Sequence, residues 1–206
     1  MRGLYAIIDP EHCAQDPEQV TRAVLRGGCA VLQLRDKRSS DKEVAQLSRK
    51  LRVLCQEHGV PFVLNDRFWL VAEVGAQGAH VGQSDEPIER VRRELGSELQ
   101  IGVSTHTLDQ ARDAVRRGAD LIGFGPIFGT TSKQNPDPTV GLTWLAAAVA
   151  QISIPVVAIG GITLARAAEV ARTGVPLAAA VSALCAAEDP ERAARELHGV
   201  LQGRAT

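Results

Sequence analysis

The sequence predicts an α/β fold, a single (β/α)8 (TIM) barrel that occupies residues 1–206. Short apolar, β-branched runs alternate with longer segments of helical period, and this pair of segments occurs eight times. Strands separated by helices are parallel, because each return to the sheet crosses over on a helix, and eight such units close a barrel. A chain of 206 residues is near the lower size limit of this fold, so we expect one domain.

The apolar runs place the eight strands at 4–9, 30–36, 61–66, 78–82, 100–105, 121–128, 154–161 and 176–184. The periodic segments place the helices near 17–27, 41–57, 67–75, 86–95, 107–117, 141–152, 163–173 and 189–202. No GxGxxG motif follows the first strand, which disfavours an open doubly wound sheet. The longest connection without predicted structure is 129–140, a length typical of functional lids or binding loops.

The composition argues against several classes of function. Lys and Arg number 23 against 24 Asp and Glu, so no net basic field would recruit nucleic acid or an anionic membrane. Aromatic residues make up 3% of the chain, too few for a base-stacking surface, and no apolar run is long enough to span a bilayer. Asp9 comes too early for a secretory signal. The four cysteines lack CxxC spacing, so we expect reduced, inert thiols in a cytoplasmic protein.

Polar residues cluster where the predicted strands end, which is where barrels carry out their chemistry. Strand two runs into a segment in which period-two geometry places Gln33, Arg35 and Lys37 on one side. Such a run is ordinarily a solvated strand end. Its position at the barrel mouth favours a binding site instead.

Strands three and four each lead to an acidic residue. Asn65-Asp66 ends strand three, and Asp85 follows strand four. Either carboxylate could cap the next helix, which is the commonest role of Asp at such a position. Together they could instead hold Mg²⁺, which takes one or two protein oxygens and completes its shell with water and substrate phosphate.

Strands five and six lead to hydroxyl groups. Ser104 could donate to a phosphate, and Thr107 is the natural cap of the next helix. His106 is open between an ordinary loop hydrogen bond and a catalytic base. The segment 130–133, Thr-Thr-Ser-Lys, would suit an anion, with a generic polar loop as an equal alternative.

The ends of strands seven and eight are expected to bind phosphate. Gly160-Gly161 follows strand seven, and Val181-Ser182 follows strand eight. Loops at these places, with exposed backbone N–H groups, form the usual phosphate site of a barrel. We expect the two glycines to have little value for packing, which favours the phosphate interpretation.

Taken together, the strand ends resemble those of the thiamine phosphate synthase family from one end of the chain to the other. The motifs that carry the resemblance are Gln33-Leu34-Arg35-Asp36-Lys37, Asn65-Asp66-Arg67, His80-Val81-Gly82-Gln83 with Asp85, Gly102-Val103-Ser104, Gly125-Pro126-Ile127-Phe128 with Thr130 and Lys133, Ala158-Ile159-Gly160-Gly161-Ile162, and Val181-Ser182. Each is weak alone, but their order and spacing make the set specific. The family commonly has Thr where Ser132 stands, and the segment 129–138 also departs from the usual loop.

The resemblance implies a Mg²⁺-dependent transferase of thiamine biosynthesis. Hydroxymethylpyrimidine diphosphate would lose pyrophosphate, and the nitrogen of a thiazole phosphate would attack the freed methylene carbon. The residue roles that it implies are pyrimidine contact by Gln33, Mg²⁺ binding by Asp66 and Asp85, pyrophosphate binding by Arg35, Lys37, Asn65, Ser104 and Lys133, and thiazole phosphate binding by Thr130, Ser132, Gly161, Val181 and Ser182. The residues expected to be catalytic, by stabilising the departing pyrophosphate, are Arg35, Lys37, Ser104 and Lys133.

Two other functions stay open at this point. A thiazole tautomerase would have the same barrel and thiazole phosphate site but no metal, with His106 as its base. The residues expected around pyrophosphate and metal favour the synthase. A non-catalytic binder of thiazole or thiamine phosphate fits two complete anion sites less well. The expected partners are small-molecule substrates; barrels often form homo-oligomers, but the sequence shows no distinct interface signature.

Overall fold

The computed structural model describes residues 1–130 and 137–204. These residues form a closed barrel of eight parallel strands in chain order, in which β1 is hydrogen-bonded to both β2 and β8. The predicted (β/α)8 barrel is therefore confirmed. The strands, β1 to β8, are Gly3–Ile8, Val31–Leu34, Phe62–Asn65, Gly78–Val81, Gln100–Thr105, Leu121–Phe124, Val156–Ala158 and Leu177–Ala180.

Helices follow the strands around the outside of the barrel. The helices, α1 to α9, are Pro17–Gly27, Asp41–Glu57, Val71–Val74, Ile88–Leu95, Leu108–Arg116, Gly141–Gln151, Leu164–Arg172, Ser182–Cys185 and Pro190–Leu201. Short 3₁₀ turns at Pro10–His12 and Phe68–Leu70 precede α1 and α3. Within the described ranges, no helix is both long and apolar enough to cross a membrane.

Helices α1 and α2 begin and end where the sequence predicts, and side chains cap the first turn of each. The Asp16 carboxylate accepts from the backbone N–H groups of Glu18 and Gln19 at the start of α1. Ser40 and Glu43 form a reciprocal capping box at the start of α2. These contacts satisfy N–H groups that have no partner inside the helix.

Strands two, six, seven and eight are shorter than predicted: strand two is Val31–Leu34 instead of 30–36, and strand seven is Val156–Ala158 instead of 154–161. The prediction of strand at 176–184 is wrong beyond Ala180, because Ser182–Cys185 form the short helix α8. A continuous apolar run does not distinguish a buried strand from a buried helical turn. Strand six was predicted to reach residue 128 but ends at Phe124. Pro126 follows closely, and its nitrogen has no hydrogen to donate to a sheet.

Apolar side chains fill both sides of the barrel wall. The larger layer lies between strands and helices and includes Leu32 and Leu34. The smaller layer fills the barrel interior and consists of Tyr5, Val31, Val63, Val157, Leu177 and Ala179. Successive side chains of a strand point to opposite faces, so Gln33 lies on the interior side with Val31. Because the interior is packed, a site is left to the mouth where the strands end.

Candidate active site

A pocket opens at the carboxyl ends of the strands. It receives side chains from both halves of the barrel. Of the residues predicted from the sequence, those that line it are Gln33, Arg35, Asn65, Ser104, His106, Thr130, Gly161, Val181 and Ser182. The fold therefore brings most of the predicted binding residues into one cavity.

Gln33 is held in place by the hydroxyl of Tyr5. The Gln33 side chain is buried, and its Nε2 donates to the Tyr5 oxygen at 2.9 Å. Burial raises the pKa of Tyr5 well above its usual range, and the bond from Gln33 only partly opposes this shift. Tyr5 is thus a neutral, fixed partner that orients the amide toward the pocket. The sequence analysis missed Tyr5, although a tyrosine on an inward-facing strand position usually requires a hydrogen-bond partner.

Arg35 forms an ion pair with Asp9, which follows β1. The Arg35 guanidinium donates to the Asp9 carboxylate, and the two side chains are 16% and 2% exposed. The same carboxylate accepts from the backbone N–H of Glu11 at 3.1 Å and lies 3.3 Å from Nδ1 of His12. The guanidinium is therefore fixed at the barrel mouth before any ligand binds. The sequence analysis did not assign this role to Asp9, because the contact depends on the β1–β2 register.

Two carboxylates approach each other beside Lys37. Lys37 forms an ion pair with Asp66, and Oδ2 of Asp85 accepts from the backbone N–H of Gly82 at 2.7 Å. Burial raises the pKa of Asp66; Lys37 opposes this shift, and the nearby Asp85 carboxylate adds to it. Asp66 also has a left-handed backbone, with φ of 60°, a conformation that Asp tolerates better than most residues.

This acidic pair offers carboxylate oxygens as possible metal ligands. Mg²⁺ prefers oxygen ligands and needs only one or two carboxylates from the protein, since water and phosphate supply the rest. Within residues 1–130 and 137–204, no group of three or more His, Cys, Asp and Glu side chains is arranged to hold a metal. A pair of carboxylates is thus the kind of ligand set that would suit Mg²⁺ with a bound diphosphate.

His80 and Ser104 are positioned by glycines on neighbouring strands. Nε2 of His80 lies 2.9 Å from the Ser104 hydroxyl, and the His80 ring is buried. A Cβ at Gly102 would overlap this ring, and a Cβ at Gly123 would come within 3.2 Å of it. Gly123, in strand six, thus makes room for the His80 ring. Gly125, just after the strand, instead lets two backbones approach closely, because it packs directly against the backbone of Ile159.

Both ring nitrogens of His106 face protein oxygens. Nδ1 lies 2.6 Å from the carbonyl oxygen of Gly125, and Nε2 lies 3.2 Å from a carboxylate oxygen of Asp137. The next residue, Thr107, caps α5 as predicted, accepting from the backbone N–H of Gln110. A general base needs a nitrogen lone pair directed at its substrate. In this arrangement His106 instead ties the end of β5 to the segments that follow β6.

Gly160 and Gly161 are essential to packing, so the expectation that they have little packing value was wrong. Their φ angles are 89° and 67°, in the left-handed region that favours glycine. A Cβ at Gly160 would lie 2.5 Å from Cβ of Pro126, and one at Gly161 would lie 2.6 Å from the carbonyl oxygen of Gly129. The pair allows the loops after β6 and β7 to lie against each other.

Arg166 stabilises these two loops, and the sequence analysis missed it. Its guanidinium donates to the carbonyl oxygen of Gly161 at 2.9 Å and lies 4.6 Å from the ring centroid of Phe128. A cation over an aromatic face is attractive. Arg166 therefore connects the β7 loop to the β6 loop at the edge of the pocket.

Two predicted site residues, Ser132 and Lys133, lie outside the described residues. Thr130, just before them, lines the pocket. The predicted lysine over the pyrophosphate and the predicted second hydroxyl for the thiazole phosphate both fall on this segment, and they stay sequence-based predictions.

Comparison with known proteins decides the family. The profile of the family described as thiamine monophosphate synthase matches residues 4–184. The chain belongs to the thiamine phosphate synthase family. It is 42% identical over 205 residues to a thiamine-phosphate synthase of Natronomonas pharaonis, covering 98% of this chain and 95% of that protein. It is 44% identical over 182 residues to one of Chloroflexus aurantiacus, covering 88% and 84%.

A solved structure extends this family relationship to the backbone. A thiamine phosphate pyrophosphorylase from Pyrococcus furiosus superimposes with a TM-score of 0.89 at 34% identity, covering 98% of this chain and 96% of that one. The relationship therefore spans the whole barrel, including the strand ends that form the pocket.

Proposed function

We propose that this chain condenses hydroxymethylpyrimidine diphosphate with a thiazole phosphate, giving thiamine phosphate and pyrophosphate. The observation that carries the proposal is that one pocket has two different polar sides. Arg35, Asn65 and Ser104 line the side formed by β2 to β5, whereas Gly161 and Ser182 line the side formed by β7 and β8. A reaction that joins two phosphorylated molecules needs two anion sites within one cavity. The names of the relatives support this assignment.

The first side would bind the pyrimidine diphosphate. Arg35 is fixed by the buried Asp9, so its charge is already in place when pyrophosphate begins to leave. Lys37, paired with Asp66, would add a second positive charge. Negative charge accumulates on the pyrophosphate as its bond to carbon breaks, and preorganised cations stabilise that charge. Gln33, oriented by its bond to the tyrosine hydroxyl, would contact the polar edge of the pyrimidine.

Asp66 and Asp85 would hold Mg²⁺ against the same pyrophosphate. Bound there, the ion would supply positive charge to the leaving group without any proton transfer. We propose that Lys133, on the segment after β6, contributes in the same way, as the family resemblance implies.

The second side would bind the thiazole phosphate. Thr130, Gly161, Val181 and Ser182 line this part of the pocket, and Ser132 completes the proposed set. Arg166 holds the Gly161 carbonyl, so the backbone of the β7 loop is fixed. The thiazole nitrogen would then face the methylene carbon from across the pocket, and no nucleophilic side chain is needed.

A turnover assay with both substrates and Mg²⁺ tests the proposal, with thiamine phosphate and pyrophosphate as the measured products. Excess chelator should abolish product formation, and Asp66→Asn and Asp85→Asn should each lower turnover by about a hundredfold or more. The amide oxygen of Asn can still accept from the Gly82 N–H, so Asp85→Asn should fold.

Asp109→Asn is the matched control, because this side chain is 91% exposed on α5; its turnover should equal that of the wild type. Full turnover in excess chelator would refute the metal assignment but not the condensation. Tight substrate binding with no product would instead indicate a non-catalytic binder.

The geometry of His106 argues against the tautomerase alternative. Its two ring nitrogens face the carbonyl oxygen of Gly125 and the carboxylate of Asp137, so both are already in contact with protein oxygens. A tautomerase would lose its activity in His106→Ala and would be indifferent to chelator. The synthase should instead lose its activity in excess chelator.

We also propose that the protein works in the cytoplasm. The four cysteines are free thiols, which agrees with a reducing compartment.

A further inference from the structure

Two cysteines meet at the barrel mouth, next to the pocket but outside its lining. Cys13 follows the 3₁₀ turn after β1, and Cys185 ends α8. Each of the two thiols has the largest single effect on the pKa of the other. Beside them, the backbone N–H of Ala14 donates to the carbonyl oxygen of Cys185 at 2.8 Å. The two chain segments are therefore in direct contact where the sulfur atoms lie.

The two thiols differ in exposure and in acidity. Cys13 is partly exposed, and the neighbouring Cys185 lowers the pKa of its thiol. Cys185 is buried, and the neighbouring Cys13, together with burial, raises the pKa of its thiol. A partly exposed thiol of lowered pKa beside a second thiol is the arrangement typical of a reactive cysteine and its resolving partner.

Backbone contacts position the sulfur of Cys185, and Arg35 partly neutralises a carboxylate near Cys13. Sγ of Cys185 lies 3.5 Å from the carbonyl oxygen of Ile7 and 3.5 Å from the backbone nitrogen of Asp9. The carboxylates of Asp9 and Asp16 oppose ionisation of Cys13. The Asp9 charge, however, is paired with Arg35, so it opposes the thiolate less than a free carboxylate would.

The other two cysteines provide an internal contrast. Cys29 and Cys55 are buried, and burial raises the pKa of each thiol to about 12. They therefore stay protonated at neutral pH and react slowly, since the thiolate is the nucleophile.

We propose that Cys13 and Cys185 form a peroxide-sensitive dithiol that closes to a disulfide between the β1–α1 segment and α8. The Cys13 thiolate attacks one oxygen of hydrogen peroxide, the O–O bond breaks, and the leaving hydroxide takes a proton to become water. The sulfur of Cys185 then attacks the Cys13 sulfenic acid, loses its proton, and displaces the S–OH oxygen as a second water. Two thiols are oxidised and one peroxide is reduced to two waters.

The disulfide would change the position of α8. Bonded sulfur atoms lie about 2.05 Å apart, so the two sulfur atoms would have to approach each other, and Cys185, having lost its proton, would no longer donate to Ile7. Because α8 begins at Ser182, which lines the pocket, oxidation would act on the second side of the pocket. The modification itself does not depend on the proposed reaction.

Oxidation of the purified full chain by equimolar hydrogen peroxide at neutral pH tests the proposal. Free thiols, counted after denaturation, should fall from the four of the reduced chain to two. Mass spectrometry after alkylation and proteolysis should find the Cys13 and Cys185 peptides linked, and dithiothreitol should separate them. Cys185→Ser should accumulate a sulfenic acid at Cys13 that dimedone traps.

Matched variants make the result decisive. Cys13→Ser, at a partly exposed position, should fold and keep its three remaining thiols under the same treatment. The Cys29→Ala/Cys55→Ala double variant should still form the linked peptide. Equal oxidation of Cys29 and Cys55, or oxidation of Cys13 without linkage to Cys185, would overturn the proposal.

Discussion

Replacing Arg35 by Met should destabilise the fold by an amount that follows from the burial of Asp9. The substitution keeps the aliphatic stem but leaves a carboxylate that is 2% exposed without its cation. Removing one partner of a buried ion pair typically costs about 3–5 kcal/mol. We expect about 3 kcal/mol, because the N–H of Glu11 and the ring of His12 remain near the carboxylate. In a chain of this size, that loss lowers Tm by about 6–12 °C.

The double variant Asp9→Asn/Arg35→Met separates stability from catalysis. It removes the stranded charge, and the Asn oxygen can still accept from the Glu11 N–H, so most of the lost stability should return. Turnover should stay low in both variants, because the pyrophosphate still lacks its guanidinium. Urea unfolding and product formation measured on the same preparations check both expectations. A double variant as unstable as Arg35→Met, or an Arg35→Met with wild-type stability, would refute this reasoning.

Two further predictions concern packing and pH. Gly102→Ala places a Cβ against the His80 ring, and overpacking of this kind costs about 1–3 kcal/mol; urea unfolding should show this loss, and turnover should fall as Ser104 shifts. Burial, assisted by the charge of Arg204, lowers the pKa of His198. As the pH falls, His198 is therefore protonated in the unfolded chain before it is protonated in the folded one. Its contribution to the free energy of unfolding is fully present above about pH 6.5 and is lost as the pH falls through the folded pKa. His198→Asn should lose less free energy of unfolding than wild type between about pH 7 and pH 5.

Each of these has a control. Gly199→Ala adds a methyl group with nothing within 4 Å, so it should be neutral or slightly stabilising, and equal losses in both glycine variants would rule out the steric explanation. In the His198→Asn variant, the Asn oxygen can replace Nδ1 of His198, which accepts from the Leu4 backbone N–H at 3.1 Å. The variant therefore removes the titrating group but keeps an acceptor. Unchanged pH dependence in His198→Asn would mean that this histidine does not titrate as argued.

The barrel, and the site residues that lie on strand ends, could be predicted from the sequence, because both depend on local patterns. Eight alternations of apolar run and helical period suffice for the fold, and parallel strands must end at the same mouth. Residues on strand ends, such as Gln33 and Ser104, could be found in this way. Their supports could not: Asp9 reaches Arg35 only through the β1–β2 register, and Arg166 reaches Phe128 only when two loops pack together.

Local patterns also failed where the same sequence pattern suits two different structures. Leu184 and Cys185 are apolar and buried, which suits either a strand or a helical turn, so the sequence pattern did not reveal α8. The same limit applies to Gly160 and Gly161. A glycine pair marks close approach but does not say by what, and here the approaching atoms belong to Pro126 and to the backbone of Gly129.

The pairing of β1 with β8 affects how the chain folds during its synthesis. Gly3 pairs with Leu177, so the seam joins distant parts of the chain, and closing a loop of that length costs about 4–5 kcal/mol of chain entropy. The two polar sides of the pocket lie on either side of this seam. During synthesis the chain therefore has no complete pocket until the last strand has emerged and docked, and an unfinished barrel leaves the facing edges of β1 and β7 open to pairing with other chains.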